Sequence, residues 1–465
     1  MFRNAVWMAV AAVTASTPGA NANIVISSGQ TENMICSAGV CTQTAKDAIL
    51  NVNDLENLLA AGNIEILGQG THARAKTTAV EVPLSWSAPS VLSTVATRLH
   101  VDSTIAVQGS GGISINYGLS FGTKGRITFA ETNAIFEING APYTLASTLP
   151  GLASAIAANP KGLFALGDSY DASQDGTYSQ SPIPTNFEAG FLGLGNAISN
   201  ISINNTAACC VGGLFETISQ GQVSNIRLEN VAIVSAAGAG GLAYENFGAV
   251  SRVSVTGTVS GGADAIGGLI GVNYSSISSS SSRVVVSADG TANGIDIGGL
   301  VGAEFGETEY SFATGAVSSG NGSGNIGGLI GEIENGNSGD ENSYASGAVS
   351  GGSGWNVGGL IGQNDYGSSN LLDCYSIGEV SGGSGSIVGG LIGVNNSTSE
   401  YKDYWDTTTS GTYVGVGLGN DAYVTGLTTA QLQSGLPSGF EPKVWAEKAS
   451  INGGLPYLRR NPPSR

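Results

Sequence analysis

One apolar-glycine phrase recurs seven times between residues 211 and 395, and no other feature of the chain constrains its fold as tightly. The copies read VGGLF from Val211, GAGGLAYEN from Gly238, AIGGLIGVN from Ala265 and IDIGGLVGAE from Ile295. NIGGLIGEI from Asn325, NVGGLIGQN from Asn356 and IVGGLIGVN from Ile387 follow. The shared leucines are Leu214, Leu242, Leu269, Leu300, Leu329, Leu360 and Leu391, with gaps of 28, 27, 31, 29, 31 and 31 residues. A unit of that length cannot bury its own apolar face, so the copies must stack. The 72 glycines follow no triplet period, which excludes collagen, and 13 prolines are too few for a polyproline chain. Short alternating runs of Val, Ser, Thr and Asn broken by glycine read as half-buried strands. The expected fold is all-β: a right-handed parallel β-helix with a C-terminal cap.

Each repeat holds two strand-like pieces. In one, aligned on Gly257, Gly315, Gly347 and Gly378, Val259, Val317, Val349 and Val380 fall in one column. Val255, Ala313, Ala345 and Ser376 form a column of small residues beside it. RVVVSADG from Arg283 lacks the glycine step, so its corner is expected to differ. In the other piece strict alternation fails, because Ile326 and Ile330 share one strand face while Leu329 takes the other. A bend at the glycine pair resolves the conflict, since glycine adopts angles closed to other residues. Four residues after the leucines stand Asn246, Asn273, Glu304, Asn364 and Asn395. Stacked about 4.8 Å apart, these asparagines can form a hydrogen-bonded ladder. Cys374 shares a column with Ser311 and Ser343 and reads as a small packed side chain.

Residues 1–22 read as an export signal, with Arg3, an apolar run from Val6 to Val13 and a small-residue site at Ala20-Asn21-Ala22. Residues 23–145 read as first coils with one helical turn over 54–61, and 146–210 as a bridge with a short helix at Leu152–Ala158. The repeat solenoid spans 211–402 and the cap 403–465. Within the cap, Thr428 and Gln431 have capping-box spacing, and Trp445, Pro456, Tyr457 and Leu458 supply apolar cover. Cys36 and Cys41 are spaced for a small disulfide loop, whereas the adjacent Cys209 and Cys210 are not expected to pair with each other. No later stretch reaches about 18 continuous apolar residues, so the mature chain is expected to carry no transmembrane segment. A net charge of −18, from 17 basic and 35 acidic residues, argues against nucleic acid or anionic lipid as partner.

Candidate chemistry is sparse. A zinc peptidase needs His-Glu-x-x-His, and the only histidines, His72 and His100, do not form it. His100 lies beside Val101 and Ile105 and reads as an edge-strand residue. Asp168, Asp171 and Asp175 read as turn residues, with a calcium site as the sharper alternative. Glu304, Glu307 and Glu309 read as a solvated loop. Phe312, Tyr344 and Tyr375 fall in one column facing away from the valines, where they pack under a loop or hold sugar rings. They are the binding candidates.

The repeats resemble the GLUG motif, found in filamentous-haemagglutinin-like bacterial surface proteins and in IgA-specific metallopeptidases. The full form stands at Leu269, Leu329, Leu360 and Leu391, with a variant at Leu300. LPGLASAIAANPKGLFALGDSYDAS before the repeats, and YWDTTTSG, LTTAQLQ and GGLPYL after them, look like the same family. The resemblance spans roughly residues 95–460 and implies a parallel β-helix on an exported protein. On that basis the chain is expected to be a secreted or cell-surface adhesin-like protein, not an enzyme, binding glycans or proteins on another cell or matrix. It would need neither cofactor nor metal, and a secretion partner would sit in the outer membrane. The alternatives are a polysaccharide-degrading β-helix enzyme and a structural envelope component.

Overall fold

A computed structural model describes residues 24–463, apart from 71–72, 75–76, 207–209, 289–292, 335–338, 366–369 and 398–401. The export signal, His72 and Cys209 therefore lie outside the described residues. The chain forms a parallel β-solenoid of about 13 turns and separates into two compact units.

The first unit holds residues up to 155 together with 162–169 and 190–196. Its sheet is built on the long strands Val91–Val101 and Gly112–Phe121, paired in parallel. The hairpin of Met34–Ser37 with Val40–Gln43 is antiparallel, and a disulfide joins Cys36 to Cys41 across it. The helix Val52–Ala61 runs longer than the single turn expected. Asn51 caps it by accepting from the Asn53 and Asp54 N–H groups, and Leu55 and Leu59 bury one face. The helix Leu149–Ala158 likewise starts before Leu152, because Pro150 in a first turn has no N–H that a helix would miss.

In the second unit each coil repeats the same course. Around Leu300 it runs through Asn293–Gly298, Val301–Glu304, Glu307–Glu309, Phe312–Ala313 and Val317–Ser319. Equivalent strands of successive coils pair in parallel, giving an eight-stranded sheet from Phe215–Ile218 to Val416–Gly419 and a six-stranded one from Ala239–Gly240 to Ile387–Gly389. All seven repeat leucines are fully buried. Each leucine N–H from Leu242 to Leu360 donates to the leucine carbonyl of the following coil, at 2.8–2.9 Å.

The valine column runs Val259, Val286, Val317, Val349 and Val380 in unbroken register. It therefore passes through the copy that lacks the glycine step. There the strand Ser281–Ala288 continues straight where later coils divide into two short strands.

The glycines of Gly-Gly-Leu-apolar-Gly are demanded by close backbone approach. A Cβ on Gly298 would collide with the Val301 carbonyl of its own turn, and one on Gly299 with the Gly328 carbonyl of the next coil. On Gly331 it would lie 2.5 Å from both the Ile297 nitrogen and the Gly302 oxygen. The chain thus bends at the pair and folds the two flanking strands against each other at the last glycine. Gly331→Ala should destabilise the fold by about 1–3 kcal/mol or more, since only backbone surrounds the new methyl. Gly62→Ala, with no atom within 4 Å of its Cβ, should shift the chemical-denaturation midpoint far less.

Candidate functional site

Inside the second unit, polar ladders run parallel to the solenoid. Asn246 Nδ2 donates to Asn273 Oδ1 (2.7 Å), and Asn273 Nδ2 to Glu304 Oε1 (2.6 Å). Ile333 occupies the next rung and breaks the ladder before Asn364 and Asn395. A second ladder links backbone to side chain. The N–H groups of Val253, Ser280, Ser311 and Ser343 donate in turn to Ser280, Ser311, Ser343 and Cys374. Cys374 N–H then donates to Asp403 Oδ1 (3.0 Å). Both ladders satisfy groups that burial would otherwise leave unpaired.

Glu304 is wholly buried in the interior, contrary to its reading as part of a solvated loop. Its carboxyl also accepts from Gly306 N–H (2.9 Å) and the Thr308 hydroxyl (2.7 Å), while burial pushes its pKa up to about 8. Asp340, whose register partner is Thr308, and Asp403 are buried and raised by the same cause.

Phe312, Tyr344 and Tyr375 do form a column, stacked with centroids 4.9 and 5.0 Å apart. All three are fully buried, so they offer no platform for sugar rings. The C-terminal segment folds back over them: Phe440 and Trp445 pack on the rings, and the Tyr375 hydroxyl donates to the Pro456 carbonyl (2.5 Å). Trp445 Nε1 donates to Asn342, and Asn461 Nδ2 reaches the carbonyls of Ser280 and Tyr310. This segment therefore covers the flank of several coils. Thr428 and Gln431 close the capping box of the short helix Thr429–Leu432 at its base.

The acids Asp168, Asp171 and Asp175 are not gathered into a metal site. Asp175 accepts from the hydroxyls of Tyr170 and Tyr178, Asp171 from Ser173 N–H and Asn200, and Asp168 from Ser169 N–H. All are local turn bonds except that from Asn200, which comes from 29 residues along the chain. His100 has one ring nitrogen 2.9 Å from Ser120 Oγ and the other 3.1 Å from Asp102 Oδ1. Here Nδ1 faces the serine and Nε2 the carboxylate, the reverse of the hydrolase arrangement, and Ser120 is only 1% exposed. Asp102 is partly exposed, but the buried hydroxyl of Ser120 is closed to substrate.

The outer surface carries what sequence reasoning missed. The residue after each rung of the asparagine ladder points outward, giving the column Phe247, Tyr274, Phe305, Glu334, Asp365 and Asn396. Along it, backbone N–H groups from Tyr274 to Asn396 donate at 2.7–3.1 Å to the carbonyl of the rung residue one coil earlier. Phe247 and Tyr274 stack at 4.4 Å and Tyr274 and Phe305 at 4.8 Å. Phe247 is 44% exposed and Tyr274 41%. Strand alternation beside the asparagines could have revealed them.

Next to this column, at the fold around Gly302 and Gly331, the two flanking strands bring polar side chains together. Asp296, Asn325 and Asn356 stand in register on one strand; Glu332 and Gln363 stand in register on the other. Asn325 Nδ2 donates to Asp296 (2.9 Å) and Glu332 (2.8 Å), and Asn356 Nδ2 to Gln363 (2.7 Å). Carboxylate oxygens of Asp296, Glu332 and Glu334 lie within 4.8 Å of one another. Burial raises all three pKa values, and the negative charge of Asp296 raises that of Glu332 further.

Residues 146–257 match the N-terminal region of the M26 IgA1-specific metallo-endopeptidases, and residues 353–381 match the GLUG motif. Halomucin of Haloquadratum walsbyi is 37% identical over 84 residues, 18% of this chain and 1% of that protein. The match thus spans only about 1% of the length of that curated relative. Among solved structures, an immunoglobulin A1 protease candidate from Bacteroides ovatus is 20% identical with a TM-score of 0.43, covering 69% of this chain and 93% of that one. A structure of an IgA1 protease is also 20% identical, with a TM-score of 0.39, covering 57% of this chain and 21% of that one.

The metallo-endopeptidase match overturns two expectations, that the chain is a non-enzymatic adhesin and that it is not an enzyme. Both leaned on the repeat, which is scaffold and names no activity, and on the missing zinc motif, which speaks only of this chain's two histidines. No helix among the described residues is long and apolar enough to cross a membrane.

The buried acids make stability depend on pH. Glu304 has a folded pKa near 8 against an ordinary 4.5, so its contribution is complete below about 4.5 and lost as pH rises through 8. The thermal midpoint should fall across that interval. Glu304→Gln, which keeps an acceptor for Asn273 and Gly306 and gives Thr308 a donor, should flatten the fall; an unchanged slope would reject the assignment.

Proposed function

We propose that the chain belongs to an exported peptidase system of the IgA1-specific kind, in which its solenoid engages the polypeptide to be cut. The match of residues 146–257 to the metallo-endopeptidase N-terminal region carries this reading. The geometry supports it: a coil register held over many turns leaves a long, rigid outer face, well suited to an extended chain. Export is supported by the signal-like first residues and by the Cys36–Cys41 disulfide, a bond at home in oxidising compartments.

Zinc, which the family implies, is not fitted by the described residues. His100 uses both ring nitrogens on Ser120 and Asp102, and Asp296, Glu332 and Glu334 offer only oxygen. No hydrolytic step is derived from them.

The test incubates the full chain with IgA1 in zinc-containing buffer, following binding by surface plasmon resonance and heavy-chain integrity by electrophoresis. Saturable capture or a discrete heavy-chain cut is the expected result. Absence of both overturns the reading.

A further inference from the structure

We infer that the column Phe247, Tyr274, Phe305, Glu334 and Asp365 is a docking surface for an extended polypeptide segment bearing lysine or arginine side chains. The inference deepens the peptidase reading and rests on it for the class of partner.

The column is continuous, because each of its residues follows a rung locked in register with the coil before. Its first three members are aromatic, stacked face to face within 17° of parallel, so that ring edges form an apolar strip open to solvent. The same molecule shows what a covered aromatic column looks like: Phe312, Tyr344 and Tyr375 are stacked in the same way and sealed by Phe440 and Trp445. Phe247 and Tyr274 stay nearly half exposed.

Charge selects the partner. From residue 284 to 401 the sequence has thirteen acidic residues and neither lysine nor arginine. In the column itself the aromatic strip passes into Glu334 and the exposed Asp365. The carboxyls of Asp296 and Glu332 stand beside Glu334, and Glu245 lies close enough to Tyr274 to raise its pKa, though burial raises it more. A lysine or arginine side chain matches both halves of this surface. Its alkyl stem covers aromatic edges while its cationic head reaches a carboxylate. A neutral glycan would leave the carboxylates unanswered, and an acidic partner would be repelled.

The experiment measures fluorescence anisotropy of a short labelled peptide alternating arginine with threonine, titrated with the full chain, against a glutamate–threonine control. The arginine peptide should bind and the control should not. Phe247→Ser with Tyr274→Ser, and separately Glu334→Gln with Asp365→Asn, should each weaken binding about tenfold. Raising NaCl from about 0.05 M to about 0.5 M should weaken it similarly, by screening the charges. These side chains lie on the surface, and unchanged thermal midpoints will verify that the variants fold. Glu307→Gln with Glu341→Gln, acids outside the column, should leave binding within about twofold. Equal loss in that variant would reduce the effect to bulk charge and overturn the proposal. So would calcium chloride displacing the peptide while calorimetry shows the calcium itself bound at the column. IgA1 capture on the same surfaces separates the two ideas. If the peptide fails while IgA1 is still captured, only the docking surface falls; if neither binds, the peptidase reading falls as well.

Discussion

The leucine N–H of one coil bonds to the leucine carbonyl of the next, and every column in the second unit depends on that bond holding its register. A slip of one residue would turn each inward side chain outward. Glycine makes the bond possible. With backbone of the same turn, of the next coil and of the folded-back strand all pressed against it, Gly-Gly-Leu-apolar-Gly leaves no room for a Cβ at three of its positions. The motif is therefore a backbone-packing device that buries the leucine and the apolar residue after it.

Once register is fixed, interior polar groups can be satisfied by their equivalents one coil away. Asparagine suits this because it donates and accepts, so identical residues link head to tail. Glu304 can stand in a rung because three donors converge on it, and the chain of side-chain bonds stops there. At the following rung the Ile333 side chain has nothing to donate or accept. The serine ladder tolerates Cys374 in the same way, a weaker acceptor at 3.4 Å from the Ser343 nitrogen. Burial of Glu304, Asp340 and Asp403 among these ladders favours their protonated forms.

Much of the scaffold was legible in sequence because its causes are local and repeated. The period demanded stacking, broken alternation at Ile326, Leu329 and Ile330 demanded a bend, and the spacing of Asn246 and Asn273 placed them in one ladder. The return of residues 440–461 over the aromatic column was not legible. The bond from Trp445 to Asn342 spans 103 residues, and nothing near either residue announces the other. Sequence offered packing under a loop as one reading of Phe312, Tyr344 and Tyr375, but did not show that residues 440–461 are the covering segment. The truly exposed row escaped notice because Phe247, Tyr274 and Phe305 each occur once beside the repeated rung, with Glu334, Asp365 and Asn396 in their place further along. The match to the metallo-endopeptidase N-terminal region covers residues 146–257, the bridge together with the first two and least regular repeat copies.

A register enforced from inside leaves the outside free. The inner columns must repeat leucine, valine or asparagine, whereas the outward residue beside each rung changes from aromatic to acidic within four coils without disturbing the stack. Equal coil spacing converts such a change in sequence into a graded surface along one axis, apolar at one end and anionic at the other. A partner that is extended, and whose side chains are themselves part apolar and part cationic, can follow that gradient without either molecule changing shape. The repeat thus supplies rigidity, and the departures from repetition on its outer face are where recognition has room to arise.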